Sequence, residues 1–300
     1  MDILHHSMVG AVGAACALAL GQVEAGAAFA LASLAPDLDA VFMLAGKSRY
    51  LSLHRGPTHS LLFLPLIASI VVGATALLGD DAGLLLSPWC WIGALCGLLL
   101  HIAMDITNTF GVHLLWPFGG RTSGHSLFFI DLPSIGLTGV TLTAVICSNF
   151  PVTAVSLYLA TFFLYAALKG WMVLRARRCL AADTVVPSGV FPTRAFFTRT
   201  VADGALQHGV CDLATLEICS TSVIPASVLA VAESARCASP TYRRLEKAFA
   251  RFVPTKCMEA EDGSIIVTAR CVAVRNFGNR YGEMVLRLRD GTLIEESARL

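Results

Sequence analysis

Apolar runs separated by short polar segments dominate residues 1–178. A helix needs about 20 apolar residues to cross the hydrocarbon core of a membrane. Runs of roughly this length lie at about 60–79, 85–104, 133–149 and 151–174. The pattern therefore predicts a membrane protein, with an all-α, multi-span helical bundle of about four full spans in this part of the chain.

The N-terminal segment allows two interpretations. Residues 8–35 are apolar but contain Glu24 near their middle, so they form either one weak span or a hairpin of two short helices at about 8–20 and 24–35. We favour the hairpin, because an acid at mid-membrane is costly. We interpret the segment as retained, since Asp2 and the absence of Lys and Arg argue against a signal peptide.

Residues 179–300 have a different pattern, typical of a small soluble α+β domain. Apolar spacing predicts helices at about 223–236 and 239–252. Alternation predicts strands at about 264–274 and 282–290, joined by a turn through Asn276, Gly278 and Asn279. No catalytic motif stands out, so we interpret this domain as regulatory, substrate-gating or binding a protein partner.

Composition agrees with a membrane protein. The chain of 300 residues is 55% hydrophobic and 14% charged, against about 25% charged in ordinary soluble domains. The net charge of +1 gives no basic field that would bind nucleic acid. The 10 cysteines form no CxxC pair, and we expect them to be reduced.

Basic residues set the expected orientation. Arg175, Arg177 and Arg178 follow the last apolar run, and positive charge favours the cytoplasmic side. We expect an integral protein of the cell (inner) membrane with a cytoplasmic C-terminal domain. The loops containing Arg121 and Arg55 then also lie inside.

Polar residues that the membrane does not explain lie at the ends of the apolar runs. On the predicted topology they share the cytoplasmic face, although they come from separate segments: His5, His6, Asp37, Asp39, His54, His59, His101, Asp105 and Asp131. Histidine and carboxylate together favour zinc, with manganese or iron as alternatives. Their number exceeds the ligands of one tetrahedral zinc and would suit a two-metal site, so we expect one or two ions.

Local spacing supports a shared site. His101 and Asp105 are four residues apart and so share a helix face. Pro36 is expected to end the preceding helix, so that an extended dipeptide points Asp37 and Asp39 the same way. Thr58 or Ser60 is expected to cap the next helix.

Each residue alone also has a structural interpretation. His5 and His6 could belong to a solvated terminus, His101 could be an interfacial histidine, and Arg55 could anchor the membrane edge. We interpret His113, His125 and His208 as structural. The case for a shared site is stronger when these residues are considered together, because chance does not concentrate so many titratable groups on one face of an apolar domain.

These motifs resemble the YdjM family, described as LexA-regulated, membrane-bound, metal-dependent hydrolases. The matching pieces are the N-terminal His-His, LAPDLD, HRGPTHS, HIAMDITNTFGVHLLWPF and FFIDLP, within about residues 1–175. The resemblance implies a divalent-metal site whose ligands are His6, Asp37, Asp39, His54, His59, His101 and Asp105. The description is itself a prediction, so it does not fix a substrate.

The hypothesis that follows is a hydrolase acting on an ester or phosphoester of a lipid or other amphiphile at the cytoplasmic face. Asp39 or Asp131 would act as base or orient a ligand histidine, and Arg55 would bind phosphate. Two alternatives remain: a metal-ion transporter or sensor with the same ligands, whose path would involve Glu24, and a membrane adaptor without metal.

Overall fold

The computed structural model describes residues 3–46, 53–108, 111–120, 122, 127–128, 131–248, 252–271 and 283–299. The chain divides into two compact units, Met1–Ala167 and Leu168–Leu300.

The first unit is helical. Its helices are α1 (Ile3–Ala19), α2 (Val23–Leu34), α3 (Leu64–Leu78), α4 (Pro88–Ile106), α5 (Leu132–Cys147) and the start of α6 (Pro151–Cys179). Three 3-10 segments connect them: Ala35–Ala45, Pro57–His59 and Ala82–Leu86.

Three of the described helical segments are long and apolar enough to cross a membrane: Val23–Leu44, Pro88–Ile106 and Pro151–Cys179. The runs expected to span at 60–79 and 133–149 form helices of 15 and 16 residues. At 1.5 Å per residue, helices of that length reach about 22–24 Å, which is less than the hydrocarbon thickness of about 30 Å. The first of these is shortened because Ser60–Phe63 forms turns, and α3 begins only at Leu64 with Pro65 in its first turn.

The N-terminal segment consists of two helices, α1 and α2. Helices α1 and α2 are joined at Gly21, whose φ of +76° lies in the left-handed region that glycine adopts without strain. The two helices pack against each other at Gly26, where a Cβ atom would lie 2.9 Å from the Ala14 carbonyl oxygen.

The centre of the helical unit is a close contact between α2 and α4. Gly93 and Gly97 of α4 form a GxxxG pair, and a Cβ atom at these positions would lie 2.2 Å from Ala25 O and 2.6 Å from Phe29 O. Small residues at this spacing let two helix backbones approach closely. An apolar core of small and branched side chains from α2, α3 and α4 surrounds the contact: Ala28, Ala32, Ala68, Val71, Val72, Cys90, Ala94 and Leu98.

The second unit contains two four-stranded antiparallel sheets, each in sequential strand order. The first consists of β1 (Thr184–Pro187), β2 (Arg194–Thr200), β3 (Leu206–Asp212) and β4 (Ile218–Ile224). Helices α7 (Ala226–Ala238) and α8 (Pro240–Ala248) follow. The second sheet consists of β5 (Phe252–Glu259), β6 (Ile265–Cys271), β7 (Glu283–Arg289) and β8 (Thr292–Arg299).

The second unit therefore has the mixed helix and strand content expected from its sequence. Helices α7 and α8 and strands β6 and β7 lie where the pattern predicts them, although Phe252 belongs to β5 rather than to the preceding helix. The predicted turn through Asn276, Gly278 and Asn279 lies outside the described residues. The whole first sheet and strands β5 and β8 were not predicted.

Candidate metal centre

Four buried side chains from three segments of the first unit converge at one point. Asp37 lies in the 3-10 segment after α2, His59 in the short 3-10 turn before α3, and His101 and Asp105 one turn apart on α4. One ligand atom from each lies within 4.8 Å of those from the other three. Asp37, the most exposed of them, is only 8% exposed.

The spacing of these donor atoms suits one small cation. His59 Nε2 lies 3.1 Å from His101 Nε2 and 3.2 Å from Asp105 Oδ2. Asp37 Oδ1 lies 3.7 Å from His101 Nε2 and 3.8 Å from His59 Nε2. Tetrahedral ligands held at about 2.0–2.2 Å from zinc lie about 3.3–3.6 Å apart, so small adjustments would complete such a site.

Hydrogen bonds on the far sides of the two histidines fix their tautomers. His101 Nδ1 lies 2.8 Å from the Ser33 carbonyl oxygen, which can only accept a hydrogen bond, so Nδ1 carries the proton. Thr58 Oγ1 donates to Asp39 Oδ2 at 2.8 Å, so at 3.0 Å it accepts from His59 Nδ1. Burial also lowers the pKa of His59 and favours its neutral form.

Both Nε2 lone pairs therefore point into the space that they share with two carboxylates. Four electron-rich atoms in a water-poor site repel one another unless a cation lies between them. Ligand histidines whose other ring nitrogen donates to a carbonyl or a hydroxyl are typical of metal sites. The donor set fits a divalent metal ion.

Asp105 is held by two further side chains. Arg55 Nε lies 3.1 Å from its Oδ2 atom, and His6 Nε2 lies 3.2 Å from its Oδ1 atom. The His6 ring also stacks on His101 with centroids 3.9 Å apart. His6 thus contacts two of the four residues while lying outside the group itself.

Asp39 organises the segment that carries His59. Its Oδ2 atom accepts from the Arg55 backbone N–H at 2.9 Å as well as from Thr58, and its Oδ1 atom lies 2.7 Å from His54 Nδ1. Arg55 has a φ of +60°, which is uncommon for a residue with a side chain. In this conformation the Arg55 backbone N–H contacts Asp39 and the Arg55 side chain contacts Asp105.

The expected extended dipeptide at Asp37 and Asp39 is wrong. The chain continues past Pro36 as a 3-10 helix, with the proline in its first turn. Successive side chains of a 3-10 helix are about 120° apart, so the two carboxylates point in different directions. Asp37 therefore joins His59 and His101, whereas Asp39 faces the segment from His54 to Thr58.

Asp131 has its described contacts elsewhere in the first unit. It caps α5 by accepting from the Ser134 backbone N–H at 3.0 Å, and both its oxygens lie 3.0 Å from the Tyr165 hydroxyl. It does not belong to the group of four.

The remaining histidines also have defined surroundings where the structure describes them. His5 and His6 are both buried, which excludes a solvated terminus; His5 Nε2 lies 3.0 Å from Thr138 Oγ1. His113 Nδ1 lies 3.3 Å from the Gly119 carbonyl oxygen, and His208 Nε2 lies 3.2 Å from that of Thr255. His125 lies outside the described residues.

Two contributors to the site were missed from the sequence. The Ser33 carbonyl orients His101, and a backbone group leaves no side-chain signal to find. Thr58 was expected only as a helix cap, yet it links Asp39 to His59. The available signal was the position of Thr58, which lies one residue before the candidate ligand His59 in a segment rich in polar residues.

The profile of the YdjM inner membrane protein family matches residues 1–177, more than half of the 300-residue chain. The chain belongs to the YdjM family. This confirms the resemblance based on the histidine and aspartate motifs. The YdjM match includes every residue of the candidate metal centre.

One curated relative matches the chain. The uncharacterized protein YfhP of Bacillus subtilis is 27% identical over 168 residues, which is 55% of this chain and 50% of the relative. The chain thus spans about half the length of the curated relative that it matches. No solved structure matches it significantly.

Proposed function

We propose that this YdjM-family protein is a metal-dependent hydrolase of the inner membrane, acting on an ester or phosphoester of a lipid or other amphiphile. The observation that carries the proposal is the convergence of Asp37, His59, His101 and Asp105 with both histidine tautomers fixed. A structural hydrogen-bond network does not require two imidazole lone pairs fixed beside two buried carboxylates, whereas a metal site does.

The proposed ligand set is narrower than the one expected from the sequence. Asp37, His59, His101 and Asp105 hold the ion, and His6 and Asp39 orient ligands from outside the set. Two imidazoles and two carboxylates suit zinc first, and manganese or iron as alternatives. A divalent ion in a hydrolase polarises the ester or phosphoryl oxygen and lowers the pKa of water.

Arg55 supports an anionic substrate. Its guanidinium lies beside Asp105 and is only 7% exposed, so its positive charge is poorly screened by water. Here it keeps the ligand Asp105 in place and favours a negatively charged group such as a phosphoester. We assign Asp131 the role of capping α5 and not that of a catalytic base.

An amphiphilic substrate fits the position of two of the four residues along their helix. His101 and Asp105 lie in the last two turns of the membrane-length helix α4. Side chains at such ends lie near the headgroup region of a bilayer. Arg175, Arg177 and Arg178 favour a cytoplasmic position for the C-terminal unit, which we propose binds a protein partner.

Transport is less well supported than hydrolysis. Glu24 lies in the first turn of α2 and accepts a hydrogen bond from Ser87 at 2.7 Å, whereas Asp37 lies beyond the other end of that helix. Among the described residues, the contact of α2 with α3 and α4 is filled by an apolar core. This core contains no carboxylate or imidazole that could bind an ion between the four residues and Glu24.

The proposal is tested with protein purified in detergent, freed of metal by chelation and then given zinc, manganese or iron. Short-chain phosphodiester and carboxylic ester lipids are the probes. We expect hydrolysis that requires metal and is lost in Asp105→Asn, but is retained in Glu24→Gln, which changes an acid at the opposite end of α2. Hydrolysis that is equally fast without metal, or in Asp105→Asn, would refute the proposal.

A further inference from the structure

His54 differs from the other histidines near the site. Its side chain is 24% exposed, whereas those of His59 and His101 are fully buried and that of His6 is 1% exposed. It lies outside the group of four, yet its ring centroid is 6.4 Å from that of His59. His54 is therefore a histidine beside the ligands that solvent and a substrate can reach.

Asp39 fixes which nitrogen of His54 is basic. The 2.7 Å contact joins His54 Nδ1 to Asp39 Oδ1, and an ionised carboxylate can only accept. Nδ1 therefore carries the proton, and Nε2, on the other edge of the ring, has the lone pair. A buried carboxylate behind an imidazole fixes the tautomer and the orientation of the ring, as in hydrolases with a histidine base.

Asp39 is itself held in place. The Arg55 backbone N–H and the Thr58 hydroxyl both donate to its other oxygen, at 2.9 and 2.8 Å. Thr58 also contacts His59, so one carboxylate sets the position of a ligand and of His54 together. This fixed relationship is what a proton-transfer group beside a metal centre requires.

We propose that His54, positioned by Asp39, is the proton acceptor and donor of the hydrolysis and is not a metal ligand. The inference rests on the proposed function and specifies its chemistry. His54 Nε2 takes a proton from water as the water oxygen bonds to the phosphoryl or acyl centre. The bond to the leaving oxygen then breaks, and that oxygen receives the proton as an alcohol, which returns His54 to its neutral form.

The test compares His54→Ala and His54→Gln with His101→Ala in the full chain. We expect both His54 variants to keep the metal content of the wild type and His101→Ala to lose it, as measured by elemental analysis. With bis(p-nitrophenyl) phosphate as probe, kcat of the His54 variants should fall by about 10²- to 10⁴-fold. KM should change little, and added imidazole should restore part of the rate to His54→Ala without changing its metal content.

Three results would overturn the proton-transfer role. Loss of metal from the His54 variants would make His54 a ligand, and a wild-type rate in them would remove any part in the reaction. A metal-loaded wild type that hydrolyses no ester or phosphoester probe would refute the proposed function and the proton role with it. In that case the metal content of the His54 variants still decides whether His54 lies outside the ligand set.

Discussion

The contact between α2 and α4 should control both stability and the metal centre, and Gly93→Ala tests this. A Cβ atom at position 93 would lie 2.2 Å from the Ala25 carbonyl oxygen and 2.9 Å from the Ala25 Cα atom. Both are backbone atoms, so no side-chain rotation can relieve the clash. The two helices must separate for the extra methyl group to fit.

The size of the effect follows from these distances. Ordinary contacts begin at 3.4 Å, so a Cβ atom now 2.2 Å from Ala25 O requires a local movement of more than 1 Å. Overpacking of this kind costs about 1–3 kcal/mol. Helix α4 carries His101 and Asp105, whereas α2 carries Ser33 and leads to Asp37. The same movement should therefore weaken metal affinity. Loss of a contact that orients a metal ligand typically lowers the affinity by about 10- to 100-fold, and we expect an effect of that size.

The assay is thermal unfolding in detergent together with metal titration, and Gly73→Ala in α3 is the matched control. Among the described residues, no atom beyond the nearby backbone of the same helix lies within 4 Å of a Cβ at position 73, so this change should be neutral or stabilising. We expect a lower unfolding midpoint and weaker metal binding only in Gly93→Ala. If both variants match the wild type in both measurements, the close approach of α2 and α4 is refuted.

Three further predictions concern individual residues. Asp131→Ala should lower the free energy of unfolding by about 1 kcal/mol through loss of the α5 cap and leave metal content unchanged; loss of metal would return Asp131 to the site. Burial raises the pKa of Cys211 to about 11. Iodoacetamide at pH 8 should therefore label the exposed Cys219, but should label Cys211 only after denaturation, as read by mass spectrometry. Labelling of Cys211 in the folded protein would contradict its burial. Hydrogen bonds from Ser264 and the nearby Arg287 hold the pKa of Asp262 well below its usual range. Its ionised form therefore stabilises the fold above pH ~4, and that contribution is lost as the pH falls through the lowered pKa. The unfolding midpoints of wild type and Asp262→Asn should differ at pH 7 and converge in strong acid, and a constant difference between them would contradict this origin.

The helical unit was largely predictable because its signals are long and redundant. Apolar runs bounded by Gly21, Pro88 and Pro151 leave few choices of helix position. The sheets were harder to predict for a physical reason. Strand β2 is buried at four successive positions and β4 is exposed at six of seven, so neither shows the alternation on which strand prediction depends.

The site was predictable as a set of residues but not as an arrangement. Counting spans predicts that the polar segments share one membrane face, and the four residues of the candidate metal centre are all among the ligands that the resemblance to the YdjM family implies. The division of roles between Asp37 and Asp39 depends on a 3-10 helix where the sequence suggested an extended turn. The orientation of His101 depends on a backbone carbonyl 68 positions away in the chain, which no local pattern reveals.

The most direct test of the central claim is the metal content of the purified wild-type protein beside Asp37→Asn, His59→Ala, His101→Ala and Asp105→Asn. The structure predicts that the wild type binds one divalent ion at the four residues after metal is added back and excess is removed. Each substitution should reduce that content, whereas Glu24→Gln should retain it. A folded wild-type protein that binds no metal, or metal that survives all four substitutions, would contradict the account.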